Sequence, residues 1–291
     1  MKKRFMLVIL LIIMFCTTSC FKRDDLEDIN IYTTIYPIEF LTEKLYGYNS
    51  NVLSIYPNGA SPKEYKLSKK KIRDYATSSS LLVYNGLSDE KNIAASFLNN
   101  NKDMKIIDVS QGLTTKYYEE ELWLNPTNFL MMASNIRKGL KEYISNQYIL
   151  EEIDENYSKL KEDISALESE LALIIENTDN KNILVGSDLF LFLEKYGYIV
   201  TSLDETNVDN LSNNVVNKAK RLITDKSVSY IFLLDNQKPT DKINELIKNT
   251  NVKVVYIKTF ANLSSEERSN NQNYITLMNE NIEAIRKEMY E

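Results

Sequence analysis

In the segment YPNGASPKEY (56–65) a lysine stands directly after the second of two prolines. Pro57, Gly59 and Pro62 restrict the backbone, and a loop held in one shape commonly presents groups to a ligand. Lys63 can present an ammonium: three donors, one positive charge and no lone pair for a metal. The other candidates are carboxylates, with Glu119, Glu120 and Glu121 running together just before Trp123. An exposed lysine and a solvated acidic run are the plainer readings. For Glu119 and Glu120 that reading is adopted; for Lys63 and Glu121 both readings stay open. Tyr36, Tyr65, Tyr84, Tyr118 and Trp123 are aromatic candidates for cleft walls, where rings beside a carboxylate would suit an organic cation. Core or surface packing is the competing role for most of them.

The histidine count is zero, which excludes imidazole general-base work and Ser-His or Cys-His nucleophiles. There are two cysteines: Cys16 lies in the N-terminal leader described next, and the thiol of Cys20, the one cysteine that the mature chain would keep, is consumed by the lipidation described there. The mature chain therefore keeps no free thiolate or imidazole for the metals that prefer them. No Gly-rich phosphate loop is present. An enzyme is not expected, and the residues themselves call for no cofactor.

The N-terminus MKKRFMLVILLIIMFCTTSC has a basic start, an apolar run from Phe5 to Phe15 and small residues before Cys20. That is the pattern of a secretory leader, and the run is short for a membrane span of about 20 residues. The small residues before Cys20 resemble a bacterial lipobox, with Thr17 where leucine is commoner. Cys20 is then the lipidated first residue of the mature chain, held at the outer face of the cytoplasmic membrane; the alternative is a plain signal peptide. Loss of residues 1–19 takes the net charge from −6 to −9, which disfavours nucleic acid as a partner.

Strand-like and helical patterns alternate from Ile29 onward. Strands are expected at 29–35, 51–56, 80–86 and 104–110, then at 182–187, 198–203, 228–235 and 252–258. Helices are expected from Pro37, over 67–78 with Ser68 as N-cap, over 188–197, near 208–224, from Pro239 and over 266–289. Alternation of this kind predicts βαβ units with mostly parallel sheets. Between the halves, apolar residues at 149, 153, 157, 160, 164, 167, 171 and 174 form one stripe at helical spacing. The stripe predicts one long rigid helix joining two lobes, or, less favoured, a coiled-coil dimer. The expected division is a signal peptide at 1–19, a tether at 20–28, an N-terminal lobe at 29–145, a linking helix at 146–178 and a C-terminal lobe at 179–291. The fold class is α/β, two lobes each with a mostly parallel sheet flanked by helices. The cleft should lie at the carboxyl ends of the strands.

In this frame several segments resemble the metal-type substrate-binding lipoproteins of bacterial ABC transporters, the zinc and manganese binders. They are TTIYP (33–37), Pro57, Gly59, Ser61, Pro62, Glu64 and Tyr65 of the loop, LLVYNG (81–86), LWLNP (122–126) and DLFLFLEKYGY (188–198). The resemblance implies an ABC permease as membrane partner and a metal ion or small ligand as cargo. It places the family's metal-ligand positions at Lys63, Glu121, Ser187 and Lys258, so the ligand set is degenerate. Lys63 and Lys258 could pair with Glu121 across the lobes. The expected function is an extracytoplasmic solute-binding lipoprotein with weakened or lost metal binding. The alternative is a surface lipoprotein using the scaffold for adhesion or for another ligand, such as an organic cation.

Overall fold

The computed structural model describes Leu26 and residues 28–113, 121–205 and 212–290. The leader, Cys20, most of the tether, Tyr118, Glu119 and Glu120 lie outside the described residues.

Each lobe is built on a four-stranded parallel sheet. The first contains β1 (Asn30–Thr33), β2 (Asn51–Ser54), β3 (Leu81–Tyr84) and β4 (Lys105–Asp108) in the order β2-β1-β3-β4. The second contains β5 (Asn182–Val185), β6 (Ile199–Ser202), β7 (Tyr230–Leu234) and β8 (Lys253–Ile257) in the order β6-β5-β7-β8. Buried strands of a parallel sheet are apolar on both faces; Leu81, Leu82 and Val83 of β3 and all five residues of β7 are buried. Parallel pairing gathers the loops that follow the strands along one edge of each sheet. In both orders the connections diverge at the central pair, which opens a crevice there.

The helices of the first lobe are α1 (Tyr36–Tyr46), α2 (Lys69–Thr77), α3 (Glu90–Asn100) and α4 (Pro126–Tyr143). Pro37 lies in the first turn of α1, and the Ser68 side chain caps α2 by accepting from the Lys71 amide. The sequence reading assigned nothing to α3 or α4. The linker is α5 (Gln147–Glu176), 30 residues long, or about 45 Å. Its stripe is buried inside the chain: Ile149, Ile153, Leu160, Ile164, Leu167, Leu171 and Ile174 are all covered. It packs on α1 and α4 on one side and on the C-terminal helix on the other. That burial leaves no stripe for a coiled coil.

The second lobe carries α6 (Asn213–Thr224), α7 (Asp241–Ile247), α8 (Ser265–Ser269) and α9 (Tyr274–Tyr290). Three expectations change here. The segment Asp188–Tyr196 winds as a 3-10 helix, closed by Gly197 at φ 101° as the glycine predicted. The helix expected from Pro239 begins at Asp241, because the Thr240 hydroxyl takes the N-cap and accepts from the Ile243 amide. The single helix expected over 266–289 is two. Ser264 and Glu267 form a capping box on α8, Asn271 turns left-handed at φ 55°, and the Asn273 carboxamide oxygen accepts from the amides of Ile275 and Thr276 to start α9.

The lobes share one continuous core. At its centre Tyr274 of α9 stacks on Phe129 of α4 at 3.5 Å between centroids, with Phe40 and Phe260 against the pair. A polar knot lies beside the linker. Glu168 Oε1 of α5 accepts from Thr127 of the first lobe at 2.7 Å and from Lys195 and Tyr196 of the second at 2.8 Å each. Burial pushes the Glu168 carboxyl up, but these hydrogen bonds and the ammonium together hold it below its ordinary value. A depressed carboxylate contributes stability above its unfolded value of 4.5 and loses it as pH falls through the lower folded value. Glu168→Gln should therefore cost about 1.5–3 kcal/mol at neutral pH and less at an acidic pH below the lowered folded value. Urea melts at the two pH values check this; an equal loss at both would exclude the linkage.

Candidate functional site

The loops after β2, β3, β4, β7 and β8 enclose a cleft of about 1020 Å³ between the lobes. The loop of 57–65 forms one wall. Turns hold it, with Ala60 N donating to Pro57 O at 3.0 Å and Tyr65 N to Ser61 O at 2.8 Å. Gly59 sits at φ 74°, a conformation glycine adopts without strain. The second lobe grips the same loop. Gly59 N donates to Leu263 O at 2.8 Å, and the Asn262 side-chain amide donates to Pro57 O at 2.7 Å and Ala60 O at 2.9 Å. The loop is thus rigid through its own turns and through a strap of residues 261–265.

This wall delivers Lys63 to Glu121. The ammonium lies 2.9 Å from Oε1 of a carboxylate that is almost wholly buried, while the lysine side chain is half exposed. Asn236, just past β7, donates to the same oxygen at 2.7 Å. One carboxylate oxygen therefore joins the first lobe's loop, the start of a short 3-10 turn (Leu122–Leu124) that Glu121 precedes, and the second lobe. Trp123 forms the wall behind it, and its indole N–H donates to Thr259 O at 2.7 Å. The Tyr274 hydroxyl donates to Trp123 O at 2.6 Å. These bonds fix the Glu121–Trp123 segment by its neighbours on both sides.

The other predicted positions divide. Lys258 lines the cleft, but its ammonium donates to Glu280 Oε2 at 2.6 Å instead of reaching Glu121. Ser187 does not line the cleft; its hydroxyl accepts from Leu189 N and caps the 3-10 segment. Tyr65 lines the cleft, with its hydroxyl 2.7 Å from the Lys71 ammonium and its ring edge-on to Tyr56 at 6.0 Å. Tyr36 lies outside, buried at the lobe junction: its amide donates to Ala261 O and the Arg268 guanidinium covers its ring at 5.4 Å. Tyr84 is likewise not a cleft residue; burial, with Asp108 adding to it, pushes its phenol up. Sequence reasoning missed Asn236, Asn262 and Tyr56. The expected strand ends placed Tyr56 and Asn236 at the cleft edge, but nothing in their type set them apart from ordinary loop residues.

Chemically the site is an ion pair anchored by an amide. Among the described residues no group of three or more His, Cys, Asp or Glu side chains converges as a metal site would require. Asp235 is occupied as an acceptor for the Thr259 amide and hydroxyl at 3.1 and 2.7 Å. Lys63 places a positive charge where a divalent cation would have to meet Glu121.

Known proteins with this architecture are numerous. A putative metal-binding protein of Chlamydia trachomatis is 26% identical over 213 residues, covering 70% of this chain and 75% of the relative. The zinc-binding lipoprotein AdcA of Streptococcus pneumoniae is 23% identical over 99% of this chain, which spans 61% of AdcA's length. Among solved structures, the metal-dependent lipoprotein YcdH of Bacillus subtilis superposes with a TM-score of 0.71 at 17% identity, over 90% of this chain and 99% of YcdH. The zinc-bound ZnuA-like domain of S. pneumoniae AdcA superposes at 0.69 and 18%, over 91% of this chain and 100% of that domain. At such identities the superpositions establish the two-lobed fold. The family model of ZnuA, zinc-uptake complex component A, periplasmic, matches residues 31–288, and this chain belongs to that family.

Proposed function

We propose that this chain is an extracytoplasmic solute-binding lipoprotein, the receptor of an ABC importer, that has exchanged the zinc of its family for an internal cation. The observation that carries this reading is the Lys63 ammonium at 2.9 Å from the buried Glu121. An ammonium there satisfies the carboxylate's charge, cannot coordinate an ion, and repels a divalent cation. The scaffold that presents a ligand is kept, and the ligating group is replaced. Membership of a family described as a zinc-uptake component supports a non-enzymatic role. The permease is the membrane partner that family membership supports, and the TTSC sequence at 17–20 supports a lipid on Cys20.

Both halves of the reading are tested in one preparation. Stable anchoring takes more than one acyl chain, so Cys20→Ala should move the protein from the membrane fraction to the medium or the soluble fraction. Elemental analysis of the wild-type membrane extract should find far less than one zinc per chain. A variant that stays processed and membrane-bound would refute the anchor, and stoichiometric zinc would refute the exchange.

A further inference from the structure

We infer that the lysine-rich face at 66–73 rests on the anionic surface of the bilayer, which sets the first lobe against the membrane with the mouth of the cleft beside it. The inference rests on the reading that Cys20 carries a lipid. The first observation is charge. The stretch KLSKKKIR (66–73) holds five basic residues and no acid. Taking these five charges from the mature chain's −9 leaves −14 on the rest. The second observation is that these charges face solvent. Lys66, Lys69, Lys70 and Arg73 are exposed, and the first three form no ion pair or side-chain hydrogen bond with the described residues. Arg73 has the exposed Asp74 at 3.9 Å, a pair worth little in water. Lys71 alone turns inward, to the Tyr65 hydroxyl at 2.7 Å. The inner side of α2 is held by the buried Ala76 and by Tyr75, stacked on Tyr32 at 4.6 Å, so the basic side stays outward.

The third observation is that the charges sit where the helix itself disfavours them. Lys69, Lys70 and Lys71 fill the first turn of α2, which has no acid. The positive end of a helix favours acids there, and Lys69 and Arg73 are like charges one turn apart. An anionic surface beside this turn reverses both penalties. Its identity as a bilayer follows from where the chain is held. Leu26 is buried and the Asp28 amide donates to Asn49 O at 2.9 Å, so the tether from Cys20 joins the lobe that bears the basic face. The eight residue steps from Cys20 to Asp28 reach about 28 Å at most. That is less than the roughly 35 Å width of a lobe of this size, so the lobe stays within reach of the lipid surface. One lipid signal is made secure by a second, and a polybasic patch is one such partner. Lys66, Leu67 and Ile72 also line the cleft. Seating this face on lipid therefore turns the cleft mouth toward the membrane and the acidic remainder away from it.

Vesicle sedimentation tests this with the mature chain carrying Cys20→Ala, which has no lipid to insert. It should bind vesicles of equal parts phosphatidylcholine and phosphatidylglycerol, should not bind phosphatidylcholine alone, and should be released as salt is raised. One basic residue at such a surface strengthens binding about fivefold, so Lys66→Gln/Lys69→Gln/Lys70→Gln should weaken it about 100-fold. Lys218→Gln/Lys220→Gln/Arg221→Gln removes the same charge from exposed positions of α6 and should weaken it far less. The lipid and salt arms use the unaltered face, so a variant that fails to fold does not remove the test. Equal binding to both kinds of vesicle, binding to neither, or equal losses in the two triple variants overturns the inference. Poly-glutamate is titrated beside the vesicles; its capture without vesicle binding would assign the face to an acidic protein and overturn the inference as well. The vesicle assay needs no lipid on the chain, so its failure overturns this inference and leaves the anchor, read from the cell fractions, standing.

Discussion

Arg268→Met should destabilise the protein by about 3–5 kcal/mol, the usual result of removing one partner of a buried ion pair. Arg268 of α8 reaches across to α1 and donates from both terminal nitrogens to Glu39, at 2.6 and 2.9 Å. Such two-pronged pairing is the strongest form of this contact. Glu39 is only 5% exposed, so its carboxylate cannot recover water when the guanidinium is gone. The arginine also covers the Tyr36 ring. Glu43 lies nearby at an exposed position of α1, where partial desolvation first and Glu39 second push its carboxyl up, with Arg268 opposing. Removal of the arginine therefore leaves Glu39 and Glu43 opposed without their shared counter-charge. For a chain of this size the melting temperature should fall by roughly 10 °C. The double variant Glu39→Gln/Arg268→Met should lose less than the sum of the two single variants, because neither charge is then left alone. Additive losses would show that the pair is not a unit.

Lys63→His combined with Asn236→His should create a zinc site where the wild type has none. Both side chains already converge on Glu121 Oε1, from 2.9 and 2.7 Å. An imidazole at 63 is shorter than a lysine, which leaves room for an ion about 2 Å from each ligand. Two histidines and one carboxylate make a three-ligand zinc site with an open position. With free zinc at one hundred times its dissociation constant, the variant should gain about 2.7 kcal/mol, or roughly 5–10 °C in a thermal melt. A folded double variant that shows no zinc-dependent shift would mean that the two positions do not share a focus. The design omits Ser187 and Lys258. The first is engaged in capping a 3-10 segment, and the second is turned toward Glu280.

The two-lobed architecture and its linker were legible because local patterns carry them. The stripe from 149 to 174 has one period throughout, and nearly all of it is buried as that period requires. Helix α4 was equally readable in hindsight: Asn125 caps it, Pro126 opens it, and Phe129, Met132, Ala133, Ile136 and Leu140 form one buried face at helical spacing. Helix α3 was not, since Ile93, Ala94 and Phe97 give too short a stripe among polar residues. The break between α8 and α9 depends on side-chain caps at Ser264 and Asn273, which compete with a weakly marked helical continuation. At the site, the loop of 57–65 could be read because prolines and glycine impose its shape. The partners of its lysine could not all be read. Asn236 lies 115 residues from Glu121 in sequence, and only the docking of the lobes brings the two together. Lys258 does line the cleft, but the expected pairing with Glu121 is replaced by one within the second lobe, with Glu280 on α9.

The central claim is that an ammonium now stands where the family holds its metal. Calorimetric titration of the mature wild-type protein with zinc, against a chelated control, tests this most directly. The account predicts no saturable heat and no zinc-dependent rise in melting temperature, because Lys63 neutralises Glu121 and no imidazole or thiolate is available to displace it. Tight binding at one zinc per chain, abolished by Glu121→Gln, would contradict it.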